Sequence, residues 1–249
     1  MAYTAPTMAL AQARVIRGAV ATLGVSQRVS FLRRTYAHLG VALLAFVALT
    51  AGLLQTEASE RISFSLLQGG GSWLIVMLLF MAIGWAAQRL AQSPTSVALQ
   101  YVGLTLGVVG EALILQPMLW LAYYTSRSTA DFHHLVFTAA LITGTIFVGL
   151  TLTVFVTKKD FSFLRGALMI ASFAALGVIL VSMLFGFQLG ALFSGAIILL
   201  MAGYILFQTS MVMSTFPPQA HVAASLMLFS TIATLFWYVL RLLMELNRR

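Results

Sequence analysis

The segment "AGYILFQTSMVMSTFPPQ" (residues 202–219) joins the last two apolar stretches of the chain. Near the end of the first stretch it carries three consecutive polar residues, beginning at Gln208, and two prolines follow. The short proline-containing loop predicts that the two flanking helices are antiparallel neighbours. Gln208 could then bond to the next helix, where Thr231 and Thr234 are three residues apart and share a face. The simplest interpretation is a contact that holds two helices together, worth about 1 kcal/mol in a membrane.

The composition places the chain in a lipid environment. Of its 249 residues 61% are hydrophobic and 8% are charged, and the mean hydropathy is +0.99. Soluble domains carry about a quarter charged residues, so too few charges are present here to cover a water-exposed surface. The chain has no cysteine, which excludes disulfides, thiol chemistry and cysteine-based metal sites.

Apolar segments of roughly 20 residues, the length needed to cross a bilayer, recur along the chain. They predict an all-α, polytopic membrane protein with seven transmembrane helices. The predicted spans are residues 36–54, 72–88, 96–123, 135–156, 164–187, 189–210 and 220–244.

The first 34 residues differ from the rest, so we divide the chain into a basic N-terminal tail (1–34) and a seven-helix membrane domain (35–249). Five arginines are mixed with short apolar runs in the tail, and the longest run, "GAVATLGV", has eight residues. This run is too short to span, and no convincing signal-peptide cleavage site follows it. The sequence therefore predicts a cytoplasmic tail, either free or as an amphipathic helix on the membrane surface.

The distribution of Lys and Arg predicts the orientation. With the tail inside, the inner segments hold nine: five in the tail, one (Arg89) after the second span and three in the loop after the fourth. The outer segments hold five, of which three lie in the C-terminal segment. The excess favours a cytoplasmic N-terminus and an extracytoplasmic C-terminus. The net charge of +8 is explained in the same way, and no basic, aromatic-interleaved patch points to a nucleic-acid partner.

Glu111 is the one carboxylate well inside a predicted span. Gly103, Gly107 and Glu111 are spaced by four, so they share a helix face on which small residues let a neighbouring helix approach. Glu111 is expected to point into the bundle. It is either a neutral structural side chain or a carboxylate that senses protons or cations. Arg89, at the inner end of its span, is expected to snorkel to the head groups.

Several enzyme and cofactor classes are excluded by missing residues. A retinal Schiff base needs a lysine deep in a helix, but both lysines, Lys158 and Lys159, lie in a loop. Serine intramembrane proteolysis needs a histidine beside Ser194 at mid-span, and none is there. Aspartyl proteolysis needs two buried aspartates, whereas Asp131 and Asp160 lie at span edges. No HExxH motif or phosphate-binding glycine loop occurs. We therefore predict no enzyme, no cofactor and no metal site.

Four motifs resemble the Bax inhibitor-1/YccA family, over roughly residues 34–243. "VFVTKKDFSFLRG" (154–166) is similar to a loop of that family; the matching residues include Lys158, Lys159, Asp160, Ser162 and Gly166. "GYILFQTSMVM" and "ASLMLFSTIATLFWYVLRLL" resemble its sixth and seventh helices, and "GEALILQP" resembles its acidic third-span motif, with Glu111 as the acid.

The resemblance implies a fold and two alternative functions. The fold is a seven-helix bundle with the last helix at its centre. The bacterial YccA branch is the most similar, which implies an inner-membrane protein that binds and modulates the membrane protease FtsH, here through the basic tail. The alternative is a pH-sensitive calcium or proton leak, as in some members, with Glu111 as the surviving carboxylate.

Two positions depart from the family pattern. Calcium-conducting members carry an Asp in the sixth-helix motif and a second Asp in the seventh, whereas Gln208 and Thr231 occupy the matching positions here. Two close carboxylates share a proton and so respond to pH. An amide and a hydroxyl do not titrate, so we expect the helix contact to remain and its proton switch to be lost. The family's basic residue after the second span is retained as Arg89.

Overall fold

The computed structural model describes residue 20, residues 24–68 and residues 72–247 of the chain. This part folds into helices alone, without a β-strand among the described residues, which confirms the all-α prediction. The helices are α1 (Val25–Leu53), α2 (Glu57–Gln68), α3 (Ser72–Ala91), α4 (Val97–Thr125), α5 (Thr129–Thr157), α6 (Leu164–Phe185), α7 (Ala191–Ser214) and α8 (His221–Asn247).

Six of the described helices, namely α1, α4, α5, α6, α7 and α8, are long and apolar enough to cross a membrane. The second predicted span corresponds to α3, in which Met77–Ala91 forms a shorter apolar helix that does not count among those six. The count of seven spans therefore stays a prediction.

The directions of the helices favour that count. His38 of α1 pairs with Tyr101 of α4 at 2.8 Å, and further along both helices Gln116 Nε2 donates to the Thr50 carbonyl at 3.3 Å. Helices α1 and α4 therefore run parallel, so the chain must return between them. Helix α3 packs on α4 and has 20 residues, about 30 Å, which matches the hydrocarbon thickness of a bilayer.

Helix α2 lies in a segment for which the sequence predicts no element. Its 12 residues rise only about 18 Å, too little to cross a bilayer. Acidic residues occupy its first turn, and Ser59 and Ser63 are buried. This short helix is polar on one face. It lies at the end of the bundle where α1 stops, and it connects α1 to α3.

Helix α8 is the centre of the bundle, as the family resemblance implies. In its most apolar window 67% of the residues are buried, against 11–44% for the other five long apolar helices. It packs against α1, α3, α4, α5 and α7. Leu228, Phe229 and Leu235 are completely buried. Its buried residues lie on several faces, so α8 is enclosed by its neighbours along most of its length.

Helices α6 and α7 form a tight hairpin, because only the short segment 186–190 joins them. Gly186 ends α6 in the left-handed region (φ 72°), a conformation that glycine adopts without steric cost. The two helices pack together, and the hydroxyls of Ser172 and Tyr204 lie 2.9 Å apart between them.

The boundary between the predicted tail and the membrane domain falls inside a helix. Because α1 begins at Val25, the last ten residues of the segment 1–34 are helical and continuous with the first span. Val20 is completely buried, and its amide donates to the Phe216 carbonyl of the α7–α8 loop at 2.9 Å. Residues 1–19 and 21–23 of the predicted tail, including Arg14 and Arg17, lie outside the described residues.

Candidate functional site

Gln208 of α7 and Thr231 of α8 are in direct contact. Thr231 Oγ1 donates to Gln208 Oε1 at 2.9 Å, and both side chains are 7% exposed. The same hydroxyl lies 3.2 Å from the Met227 carbonyl one turn earlier, so its single proton is shared between two acceptors. The pair is a neutral interhelical hydrogen bond between two helices that pack closely along their length.

The three consecutive polar residues of α7 contact three different parts of the protein. Gln208 faces α8. Thr209, one residue on, is completely buried beside the hydroxyls of Tyr36 (α1) and Thr151 (α5). The Ser210 hydroxyl meets the α5–α6 loop: it accepts from the Phe161 amide at 3.1 Å and donates to Asp160 Oδ1 at 3.3 Å. Successive helical residues point about 100° apart, so a run of three can reach three neighbours.

The loop motif is organised around Asp160. Its carboxylate accepts from the Ser162 amide at 2.8 Å and from the Ser162 hydroxyl at 3.0 Å, in addition to Ser210. Lys158 ends α5 in the left-handed region (φ 51°), which turns the chain toward this carboxylate. Lys159 and Gly166 are exposed, and a Cβ built on Gly166 would meet no atom within 4 Å. The aspartate and serine thus attach the loop to the end of α7, and the lysines face outward.

Glu111 of α4 lies where this helix meets α3 and α8. It lines a cavity of about 20 Å³, in which Gln88 and Ser230 are the other polar side chains. The volume is about that of one ordered water. The glycine stripe brings the neighbours close, as the spacing predicted: a Cβ on Gly103 would lie 2.5 Å from the Ala87 carbonyl oxygen, and one on Gly107 would lie 2.4 Å from Leu226 Cδ1.

Two adjacent residues of α8 contact the two candidate groups, Glu111 and Gln208. Ser230 faces Glu111, and Thr231 bonds to Gln208. The carboxylate on α4 and the amide on α7 therefore lie at the same depth, on two sides of the central helix. Arg89 is exposed at the end of α3, the position expected for an arginine that reaches the head groups.

Two polar clusters lie at the end of the bundle opposite the α5–α6 loop. They were not predicted from the sequence. Arg241 and Glu245 of α8 form an ion pair at 3.1 Å with both side chains 22% exposed, and Ser194 of α7 donates to the same carboxylate at 3.4 Å. Arg241 also donates to the Leu189 carbonyl. The i, i+4 spacing of Arg241 and Glu245 was the available signal.

The second cluster docks α2. Ser59 donates to Gln116 Oε1 at 3.1 Å and accepts from Trp120 Nε1 at 3.1 Å, while Gln116 Nε2 lies 3.2 Å from the Ala112 carbonyl. All of these contacts lie among buried atoms.

As for metals, the described residues contain no group of three or more His, Cys, Asp or Glu side chains that could hold an ion.

Long apolar helices packed around a buried central helix define a membrane protein. The chain belongs to the Bax inhibitor-1 family, because the family described as "Inhibitor of apoptosis-promoting Bax1" matches residues 28–249. It is similar to Bax inhibitor 1 of Schizosaccharomyces pombe, with 28% identity over 229 residues, which cover 90% of this chain and 79% of that protein. It is also similar to the Golgi anti-apoptotic protein of vaccinia virus (strain Lister), with 29% identity over 239 residues, covering 92% and 91% of the two chains.

Proposed function

We propose that this protein is a non-enzymatic regulator that acts by contact with other membrane proteins and does not conduct ions in a pH-gated manner. The observation that carries the proposal is the neutral Gln208–Thr231 hydrogen bond, 2.9 Å long, at the position where calcium-conducting relatives hold two aspartates. An amide and a hydroxyl keep their contact at every physiological pH, so this pair provides no proton-operated switch. The names of the similar proteins, Bax inhibitor 1 and Golgi anti-apoptotic protein, also describe regulation rather than transport.

The partner that the resemblance to the YccA branch suggests is the membrane protease FtsH, in a bacterial inner membrane with the N-terminus in the cytoplasm. The described basic residues support this orientation, because Arg28, Arg33 and Arg34 lie at the beginning of α1, at the same end of the bundle as the loop with Lys158 and Lys159. A cytosolic protease domain would meet this basic end.

Co-purification with FtsH tests the proposal. The full chain and a truncated chain are expressed with a C-terminal tag in a bacterium that contains FtsH, and the protease is quantified after gentle solubilisation. The truncation removes residues 1–18, so that buried Val20 and its bond to Phe216 remain. A matched control replaces Arg127, exposed at the opposite end, by Gln.

We expect FtsH to be recovered with the full chain and with the Arg127→Gln control, and to be lost with the truncated chain. Equal recovery from the full and truncated chains would remove the tail-mediated contact. Failure to recover FtsH with any of them would remove FtsH as the partner.

The second candidate is a cation leak through Glu111, favoured by the carboxylate's position between three helices. The cavity beside it, about 20 Å³, accommodates one water and does not by itself make a continuous path. Vesicles with the reconstituted protein and an enclosed calcium dye test this candidate. Flux between about pH 6 and 8 that disappears in Glu111→Gln would establish it over the regulator; no flux in that range would remove it.

A further inference from the structure

An apolar groove of about 520 Å³ runs between α1 and α4. Its α1 wall is a stripe of residues spaced by four: Ala37, Val41, Ala45 and Leu49. Twelve residues of helix give the groove a length of about 18 Å. Val41 is 65% exposed, so among the described residues no protein element covers this part of the wall.

A polar pair closes one end of the groove. His38 Nδ1 lies 2.7 Å from the Arg34 carbonyl oxygen, and His38 Nε2 lies 2.8 Å from the Tyr101 hydroxyl; His38 and Tyr101 both line the groove. Because a carbonyl oxygen only accepts, Nδ1 carries a proton, and in the neutral ring Tyr101 donates to Nε2. Tyrosine and histidine at the end of an apolar wall mark the depth at which hydrocarbon gives way to head groups.

Beyond this pair the groove continues onto a basic surface. Arg33 lies four residues before Ala37 and so extends the stripe, and Arg34 lies four residues before His38, which also lines the groove. Both side chains are exposed. Helix α1 has 29 residues, about 43 Å, and so exceeds the hydrocarbon thickness, which leaves its first turns at head-group depth.

The net charge at this end is positive. Asp160, in the α5–α6 loop, is the one described acidic residue at the same end of the bundle, and its carboxylate is already bonded to Ser162 and Ser210. The groove thus combines a hydrocarbon-like wall with uncompensated arginines at one mouth. These two features complement the apolar tail and the negative head group of an anionic phospholipid.

We propose that the groove between α1 and α4 binds one anionic phospholipid, whose acyl chain lies along Ala37, Val41 and Ala45 and whose phosphate faces Arg33 and Arg34. A zwitterionic lipid would fit the wall but lacks the net charge that favours the basic mouth. A second copy of the chain would need to place its own side chains in the groove, and the protein would then be a dimer.

Native mass spectrometry of the purified full chain tests the proposal, with phosphatidylglycerol and phosphatidylcholine of identical acyl chains as probes. We expect one phosphatidylglycerol per chain. In Ala45→Phe, which fills the groove with an apolar ring, the adduct should be lost; in Ala51→Phe, an exposed position of α1 outside the groove, it should persist. Arg34→Gln should reduce the preference for phosphatidylglycerol about five-fold, the effect of one arginine beside an anionic surface.

A matched charge control is Arg127→Gln, at the opposite end of the bundle, which should retain the full preference. Equal retention of the two lipids by the unaltered chain would overturn the anionic preference. Retention of phosphatidylglycerol by Ala45→Phe at the unaltered level would overturn the site. A dimer without bound lipid would show that a second copy occupies the groove instead. Size-exclusion chromatography of each variant establishes that it is folded before the lipids are added.

Discussion

Thr231 of α8 donates a hydrogen bond to Gln208 of α7 across the buried contact between these helices, over 2.9 Å. Replacing Thr231 by Val keeps the volume and removes the donor, so the Gln208 oxygen is left in an apolar environment without this partner. We expect the free energy of unfolding in detergent to fall by about 1 kcal/mol, the usual size of an interhelical bond in a membrane protein.

The control for this substitution is Thr145→Val. Thr145 is exposed, and its hydroxyl bonds only to the Leu141 carbonyl of its own helix, at 2.8 Å. The same chemical change there should leave the stability within a few tenths of a kcal/mol. Equal losses at Thr145 and Thr231 would show that the Gln208–Thr231 bond contributes no specific stability.

Restoring two carboxylates at the α7–α8 contact should restore a response to pH. In Gln208→Asp/Thr231→Asp, two acids would share a buried site, so one holds a proton that is released as pH rises, and the separated charges then attract a divalent cation. We expect a pH-dependent calcium flux in reconstituted vesicles that the unaltered chain lacks. Gln208→Asn/Thr231→Ser, a neutral double substitution, is the control. Flux equal to that of this control would show that the pair alone does not make the leak.

Gly103 permits the closest approach between α3 and α4. A Cβ at this position would lie 2.5 Å from both the Ala87 oxygen and the Ala91 nitrogen, which are backbone atoms that cannot move without displacing a helix. Gly103→Ala should therefore destabilise the protein by about 1–3 kcal/mol, as overpacking does elsewhere. Gly144→Ala, where nothing lies within 4 Å, should be neutral or slightly stabilising because alanine favours helix. Thermal unfolding in detergent compares the two variants; equal midpoints would contradict the close approach.

Much of the fold was readable in the sequence because lipid imposes a single rule on it: each crossing must be a long apolar helix. The long helices and the α6–α7 hairpin follow from that rule. The central position of α8 was implied by the family resemblance, and its burial confirms it. The spacing of Gly103, Gly107 and Glu111 also predicted correctly which face of α4 meets its neighbours.

What the sequence did not reveal depends on contacts between distant residues. Helix α2 is too short and too polar to register as a span. It is held by buried hydrogen bonds from Ser59 to Gln116 and Trp120, which lie 57 and 61 positions further along the chain. In the sequence, Arg241 counted only as one of the three basic residues of the C-terminal segment. Its bond to Glu245 and to the Leu189 carbonyl places it against the start of α7 instead.

Gln116 is the residue on which the docking of α2 depends. It accepts from Ser59 at 3.1 Å and donates to the Thr50 and Ala112 carbonyls at 3.3 and 3.2 Å. Gln116→Ala removes all three bonds, so α2 should exchange its amide hydrogens faster, while the exchange of α8 stays unchanged. Gln55→Ala, at an exposed position just before α2, is the control. Unchanged protection of α2 in Gln116→Ala would mean that apolar contacts alone hold it.

The path of the chain through the membrane can be determined with single cysteines, because the chain has none of its own. Three exposed loop positions are informative: Gln92 after α3, Arg127 after α4 and Lys159 after α5. If α3 crosses the membrane and the N-terminus is cytoplasmic, an impermeant maleimide added to intact cells should label Arg127→Cys alone. Gln92→Cys and Lys159→Cys should react only after the membrane is opened. Labelling of Gln92→Cys together with Arg127→Cys in intact cells would mean that α4, which lies between these two positions, does not cross the membrane. Labelling of Gln92→Cys and Lys159→Cys without Arg127→Cys would place both loops outside, against the usual preference of basic loops for the cytoplasm. Gln55→Cys, between α1 and α2, then separates the two causes: it is labelled in intact cells if α3 does not cross, and protected if the whole orientation is reversed.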